Sequence, residues 1–92
     1  SEDNVKQCAR KLLVENFTVA EDMLAGREWF FDHFTAADAY FFWCFRRAVL
    51  FKLDVAPFPN CVAHYERMQQ RSSVKKLLAY EAEVQGEFAK AA

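Results

Sequence analysis

The sequence predicts an all-α domain, a bundle of four helices around one core, with helices over about residues 3–25, 36–53, 59–71 and 73–83. Three observations carry this. The composition is 53% hydrophobic with ten Phe, yet there is no Ile and there are only two Thr and two Gly, while Ala, Leu, Glu, Lys and Arg are common; such a mixture favours helices over strands. Every apolar periodicity along the chain is helical, and the connections between periodic segments are short. At 92 residues roughly 60 to 65% of the unfolded chain's surface can be buried, enough for one core and not for two.

In the first helix Val5, Ala9, Leu13, Phe17, Ala20 and Leu24 fall on one face, with Cys8, Leu12 and Met23 beside them. Gly26 lies just past this stripe and suits a helix stop, because it enters the left-handed conformation without a Cβ penalty. Trp29, Phe30, Phe31 and Phe34 make the following linker too apolar for a solvated loop, so it is expected to dock on the domain. Thr35 then stands where an N-cap belongs, and Asp38 three residues later can reach back to the Thr35 amide, a reciprocal capping box. The Asp38 charge also lies at the positive end of the helix dipole. The helix that follows is apolar nearly all round through its first two turns and is expected to be the buried central one. Asp54, Pro57 and Pro59 end it and place a turn near residues 54–58. Val62, Tyr65 and Met68, and then Val74, Leu77, Leu78 and Ala82 beyond Ser72-Ser73, repeat at helical spacing. Beyond Glu83 the chain is small, polar and Ala-rich and is expected to fray.

Charge and motifs exclude several classes of function. A net charge of -1 is not the basic balance of a nucleic-acid binder. The most apolar run, Ala39 to Phe45, stops at Arg46 and Arg47, far short of the roughly 20 residues that span a bilayer. Cys8, Cys44 and Cys61, odd in number and with no signal peptide ahead of them, read as free thiols in a reducing compartment, which places the protein in the cytoplasm. No CxxC occurs, and His33 and His64 stand far apart without a neighbouring Cys, so no metal site is expected. Cys44, in the most apolar helix, reads as inert packing rather than as a nucleophile. Asp32 and Asp38 as an acid–base pair lose to the capping role of Asp38. Two glycines cannot build a phosphate loop. Asn16-Phe17-Thr18 matches the glycosylation pattern in a helical setting and reads as chance. Arg46, Arg47 and Lys52, like Arg67, Arg71, Lys75 and Lys76, read as solvated helix faces before anion sites. Tyr40, Phe41, Phe42, Trp43 and Phe45 read as core first and as a substrate pocket second. No catalytic residue emerges from these patterns.

The stretch Asp32-His33-Phe34-Thr35-Ala36-Ala37-Asp38-Ala39-Tyr40-Phe41-Phe42 resembles the segment G-D-x-F-S/T-x-A-D-A-Y-L-F that opens the central helix of the glutathione S-transferase carboxy-terminal domain. Phe58-Pro59-Asn60, Tyr65-Glu66-Arg67-Met68 and Gln70-Arg71-Ser72-Ser73-Val74 extend the likeness over about Leu12 to Ala82, with bacterial beta-class-like members most similar. Three positions depart from the pattern: Phe31 stands where the family usually has Gly, Ser72 where it has Pro, and Arg47 where beta-class-like members often carry a Trp near the hydrophobic substrate pocket.

The resemblance implies the carboxy-terminal half of a transferase, with glutathione bound mainly by an amino-terminal thioredoxin-like domain not contained in these residues. The chain begins at Ser1 rather than Met, which reads as processing or truncation. Alone, the 92 residues are expected to bind no cofactor and to catalyse no conjugation. Arg47, Phe51 and Tyr40 become the substrate-site candidates, while Thr35 and Asp38 are capping residues. The implied partner is the thioredoxin-like domain or another protein chain, a second copy included, since the missing parts leave apolar surface exposed. The alternative is a non-catalytic interaction module, the role of such domains in translation elongation factor gamma subunits and some aminoacyl-tRNA synthetases.

Overall fold

The computed structural model describes residues 2–91, which form α1 (Glu2–Met23), α2 (Ala36–Leu50), α3 (Pro59–Gln69) and α4 (Ser72–Ala91), with no strand among the described residues. The core lies where α2 and α3 cover the second half of α1. Phe17 is its hub, 1% exposed, with its ring 5.7, 5.1 and 5.7 Å from those of Phe41, Phe45 and Phe58. Ala20, Leu24, Phe30, Ala48 and Cys61 complete it. On the other side of α2, Phe42 stacks on Tyr65 of α3 at 5.3 Å.

Several boundaries differ from those expected. α1 stops at Met23, and Gly26 takes φ +70° as its position suggests. α2 ends at Leu50 rather than near residue 53 because Lys52 turns left-handed, with φ 61°. Lys52 N–H donates to the Val49 carbonyl and Leu53 N–H to the Ala48 carbonyl, both at 3.0 Å, the paired bonds of a Schellman ending. No glycine marks this turn, and a non-glycine residue there costs roughly 1–2 kcal/mol. Leu53 is thereby thrown back against the core. The next turn falls where Asp54 and the prolines suggest: Ala56 N–H donates to Asp54 Oδ1 at 3.1 Å and Phe58 N–H to the Val55 carbonyl at 2.9 Å.

α4 runs to Ala91 instead of fraying after Glu83. Its last turns carry Gln85, Glu87, Ala89 and Lys90, which are good helix formers and offset the poor one, Gly86. Yet α4 contributes no buried residue among those described; Val74, Leu78 and Glu81 are half-buried on one stripe, and Arg46 of α2 holds Glu81 at 2.9 Å. The first half of α1 also departs from expectation, since Val5, Ala9 and every other residue from Glu2 to Leu12 are exposed. The radius of gyration, 15.1 Å, exceeds the roughly 12 Å of a compact chain of this length, because α1 and α4 both reach beyond the core.

Helix α2 is central but uncovered along one side. Phe42, Phe45 and Ala48 are buried, whereas Tyr40 is 75% exposed and Leu50 and Phe51 are exposed with it. The core role read for Tyr40 is therefore not realised; no described helix covers it.

Candidate functional site

Two places bring chemistry-bearing side chains together, one at the start of α2 and one between α1 and the end of α2. At the first, Thr35 N–H donates to Asp38 Oδ2 at 3.0 Å, Ala37 N–H donates to the Thr35 hydroxyl at 3.3 Å, and the reciprocal capping pair is present. Asp38 does more than cap. Its Oδ1 also accepts the Phe30 amide at 3.1 Å and meets His64 Nε2 of α3 at 2.9 Å, and both side chains are 0% exposed. A carboxylate can only accept, so Nε2 carries the imidazole proton. One side chain thus ties the linker, the start of α2 and the middle of α3 together.

The linker is clamped from outside as well. The Trp29 ring sits edge-on to Phe34 and His64 at 5.5 and 5.8 Å. Arg67 and Arg71 lie over Trp29 at 5.8 and 5.6 Å, and Arg71 over Phe34 at 3.6 Å, cation–π geometry in each case. Arg67 Nη1 further donates to the Glu28 carbonyl at 2.7 Å. Both arginines, read from sequence as a solvated face, are committed to the linker. Arg46, also read as solvated, is tied to Glu81 and lies over Trp43 at 5.4 Å. Phe31 is the exception to docking, at 55% exposed. The usual Gly is not needed at its position, since Lys52 is the one non-glycine with positive φ among the described residues.

An Asp–His pair is the kind of arrangement that general-base catalysis uses, but this one is enclosed. His64 is walled by Trp29, Phe30 and Phe41, and its Nδ1 is buried with no hydrogen-bond partner. Neither Asp38 nor His64 reaches the surface, both side chains being fully buried. Its work is structural.

Burial pushes the His64 imidazole below its usual range and the Arg67 charge adds to this, while the Asp38 hydrogen bond and charge oppose it. The folded state therefore resists a proton that the unfolded chain accepts near pH 6.5, so stability rises with pH across this interval. The contribution is complete above the unfolded value and is lost as pH falls below it toward the depressed folded one. The urea midpoint is accordingly expected to drop between about pH 7.5 and pH 5.5, above the carboxylate range. In His64→Gln, which keeps a donor toward Asp38, that slope is expected to flatten; an unchanged slope would exclude His64 as its source.

A second capping carboxylate comes from a distance. Glu21 of α1 accepts the amides of Asn60 and Cys61, the second and third residues of α3, each at 2.9 Å. Phe58, the N-cap of α3, makes no side-chain cap of its own. Burial, with the Glu21 hydrogen bond and charge, pushes the Cys61 thiol up to about 12. Such a thiol is protonated and unreactive at neutral pH.

The second place is a cleft of about 650 Å³ lined by Lys6, Ala9, Arg10 and Leu13 of α1 and by Cys44, Arg47, Ala48, Phe51 and Leu53 from α2 and its turn. The spacing explains it. Lys6, Ala9, Arg10 and Leu13 continue the core stripe of α1 toward its start, and Cys44, Arg47, Ala48 and Phe51 are one stripe of α2. The two helices meet at Phe17, Phe41 and Phe45, while the residues before Leu13 are uncovered. Leu53, returned by the left-handed turn at Lys52, closes one end.

The family model described as the glutathione S-transferase C-terminal domain matches residues 3–67, which contain nearly all of α1, all of α2 and most of α3. The chain belongs to the glutathione S-transferase C-terminal domain family. No curated protein and no solved structure matches it. In this glutathione S-transferase C-terminal domain, the α1–α2 cleft brings together Arg47 and Phe51, whereas Tyr40, one turn before Cys44 on the same stripe, stands outside it. Leu13 was already on the core face read for α1, whereas Lys6 and Arg10 join the cleft without having been singled out. The distance at which α2 faces them was not visible in the periodicity. No group of three or more metal-binding side chains occurs among the described residues, and no described helix is long and apolar enough to cross a membrane.

Proposed function

We propose that the chain is the carboxy-terminal half of a glutathione-transferase-like enzyme, whose α1–α2 cleft forms one wall of the site for the hydrophobic co-substrate. The observation that carries this is the cleft itself: an apolar lining of Ala9, Leu13, Ala48, Phe51 and Leu53 in a domain of this family, with Lys6, Arg10 and Arg47 beside it. A concave, mostly apolar site with a few polar groups is what a small hydrophobic ligand requires. Glutathione is assigned to the thioredoxin-like half of the parent, which would supply the activated thiolate; the role of this half is to bind, orient and exclude water.

A second feature supports the scaffold role. Val5, Leu12, Val19 and Met23 are exposed along one stripe of α1, about a quarter-turn or more from the core face. It is a surface suited to the rest of a larger protein in a cytoplasmic transferase. The alternative of an interaction module built on the basic clusters is weakened, because Arg46, Arg67 and Arg71 are engaged within the chain.

The purified 92 residues are expected to show no turnover of glutathione with 1-chloro-2,4-dinitrobenzene above the uncatalysed rate. Saturable turnover would overturn the division of labour. An upstream coding sequence for a thioredoxin-like domain would favour the enzyme, and an unrelated domain the module.

A further inference from the structure

We propose that His64 is the trigger of an acid-released latch: when its imidazole takes a proton, the linker of residues 28–35 lifts from α3 and from the start of α2 while the helical core stays folded. The ties of the linker converge on one side of the molecule. Phe30 and Thr35 donate their amides to Asp38 at 3.1 and 3.0 Å. The Trp29 and Phe30 rings lie 5.8 and 5.2 Å from that of His64. Arg67, near the end of α3, and Arg71, just beyond it, lie over Trp29. The hub of the core, Phe17 with Phe41, Phe45 and Phe58, includes neither His64 nor Trp29.

His64 has no place for a second proton. Its Nε2–H already donates to Asp38 at 2.9 Å, and Nδ1, where the second proton would sit, is buried with no partner. Two charges act on the ring: Asp38 of α2 favours the imidazolium and Arg67 of α3 opposes it, while burial, the largest effect, opposes it too. The remaining walls, Trp29 and Phe30 of the linker and Phe41 of α2, do not titrate and accept no ordinary hydrogen bond. A charged donor enclosed without an acceptor is strongly unfavourable until water reaches it. Water can be admitted in two ways. Moving α3 would break the hub at Phe58 and the Glu21 cap on the Asn60 and Cys61 amides. Lifting the linker, whose Phe31, Asp32 and His33 are already exposed, breaks less, and local openings follow the path that breaks least.

Amide hydrogen exchange of the isotope-labelled 92-residue chain, corrected for the pH dependence of intrinsic exchange, is the test. Between about pH 7.5 and pH 5.5 the protection of the Phe30 and Thr35 amides is expected to fall about tenfold, the effect of one proton taken up by the open form and refused by the closed one. At about pH 5.5, low urea should leave exchange at these two amides unchanged, because lifting the linker exposes little surface, while it speeds exchange at Phe45 and Ala48 within α2. In His64→Gln the pH slope at Phe30 and Thr35 should disappear. Steady protection across this pH interval, or a slope that survives in His64→Gln, would remove His64 as the trigger. Exchange at Phe30 and Thr35 as sensitive to urea as at Phe45 would mean that the linker opens only with the whole domain, and the latch would be overturned. The pH and urea readouts need only the unaltered chain, so they decide the matter even if His64→Gln fails to fold.

Discussion

Asp38→Ala is expected to lower the free energy of unfolding by about 3–5 kcal/mol, well beyond the roughly 1 kcal/mol of an ordinary helix cap. The Asp38 carboxylate accepts from the Phe30 amide, the Thr35 amide and His64 Nε2, at 3.1, 3.0 and 2.9 Å, in a fully buried place. Removing it leaves three donors without a partner, two of them buried, and each such orphan costs about 1–3 kcal/mol. A chain of this length has roughly 5 to 14 kcal/mol in total, so the substitution takes the domain a long way toward unfolding. Urea denaturation measures it. Pairing Asp38→Ala with His64→Phe in a double-mutant cycle should show coupling of about 1 kcal/mol or more, because the two side chains share one hydrogen bond. A loss of only 1 kcal/mol with no coupling would reduce Asp38 to a local cap.

Glu21→Ala is expected to cost about 2–3 kcal/mol. It takes the acceptor from the Asn60 and Cys61 amides and the negative charge from the positive end of α3. Because Phe58 offers no side-chain cap, nothing local replaces it. Glu21→Gln keeps an acceptor oxygen for one of the two amides and is expected to cost about half as much. If Glu21→Ala unfolded at the same urea concentration as the unaltered chain, the cap supplied by α1 would have no energetic content.

What was legible in the residues and what was not divides along sequence separation. Thr35 and Asp38 announce the start of α2 because a capping box is a pattern of neighbours, and Gly26 announces the end of α1 for the same reason. The partner of Asp38 is not a neighbour: His64 lies 26 residues on and drew attention only as a metal ligand. Its place was nonetheless visible, since Cys61, His64 and Met68 fall on one face of α3 and all three are buried. A histidine on an apolar stripe asks for a buried carboxylate. Glu21 was hidden in a different way. It sits at the edge of the core face of α1, among residues that read as solvated, and only the packing of α3 across α1 reveals two amides waiting for it.

The end of α2 was missed because Lys52 takes the left-handed turn without the glycine that signals one. The extent of α4 was missed because its tail reads equally well as frayed or helical by composition, and the Arg46–Glu81 pair that tethers it spans 35 residues. The cleft follows from the first of these. Its lining is periodic and apolar on each helix, yet its existence depends on where α2 stops and on how α1 runs past it, which are properties of the packed chain.

Two roles are proposed for separate places: the Asp38–His64 node holds the fold, and the α1–α2 cleft meets the ligand. Titration of the isotope-labelled chain with N-phenyl-1-naphthylamine, followed by amide 1H–15N chemical shifts, tests this assignment most directly. The shifts are expected to gather at Ala9, Leu13, Cys44, Ala48, Phe51 and Leu53 while Phe30, Thr35, Asp38 and His64 stay in place. Shifts centred on the Asp38–His64 node, with the cleft residues unmoved, would contradict it.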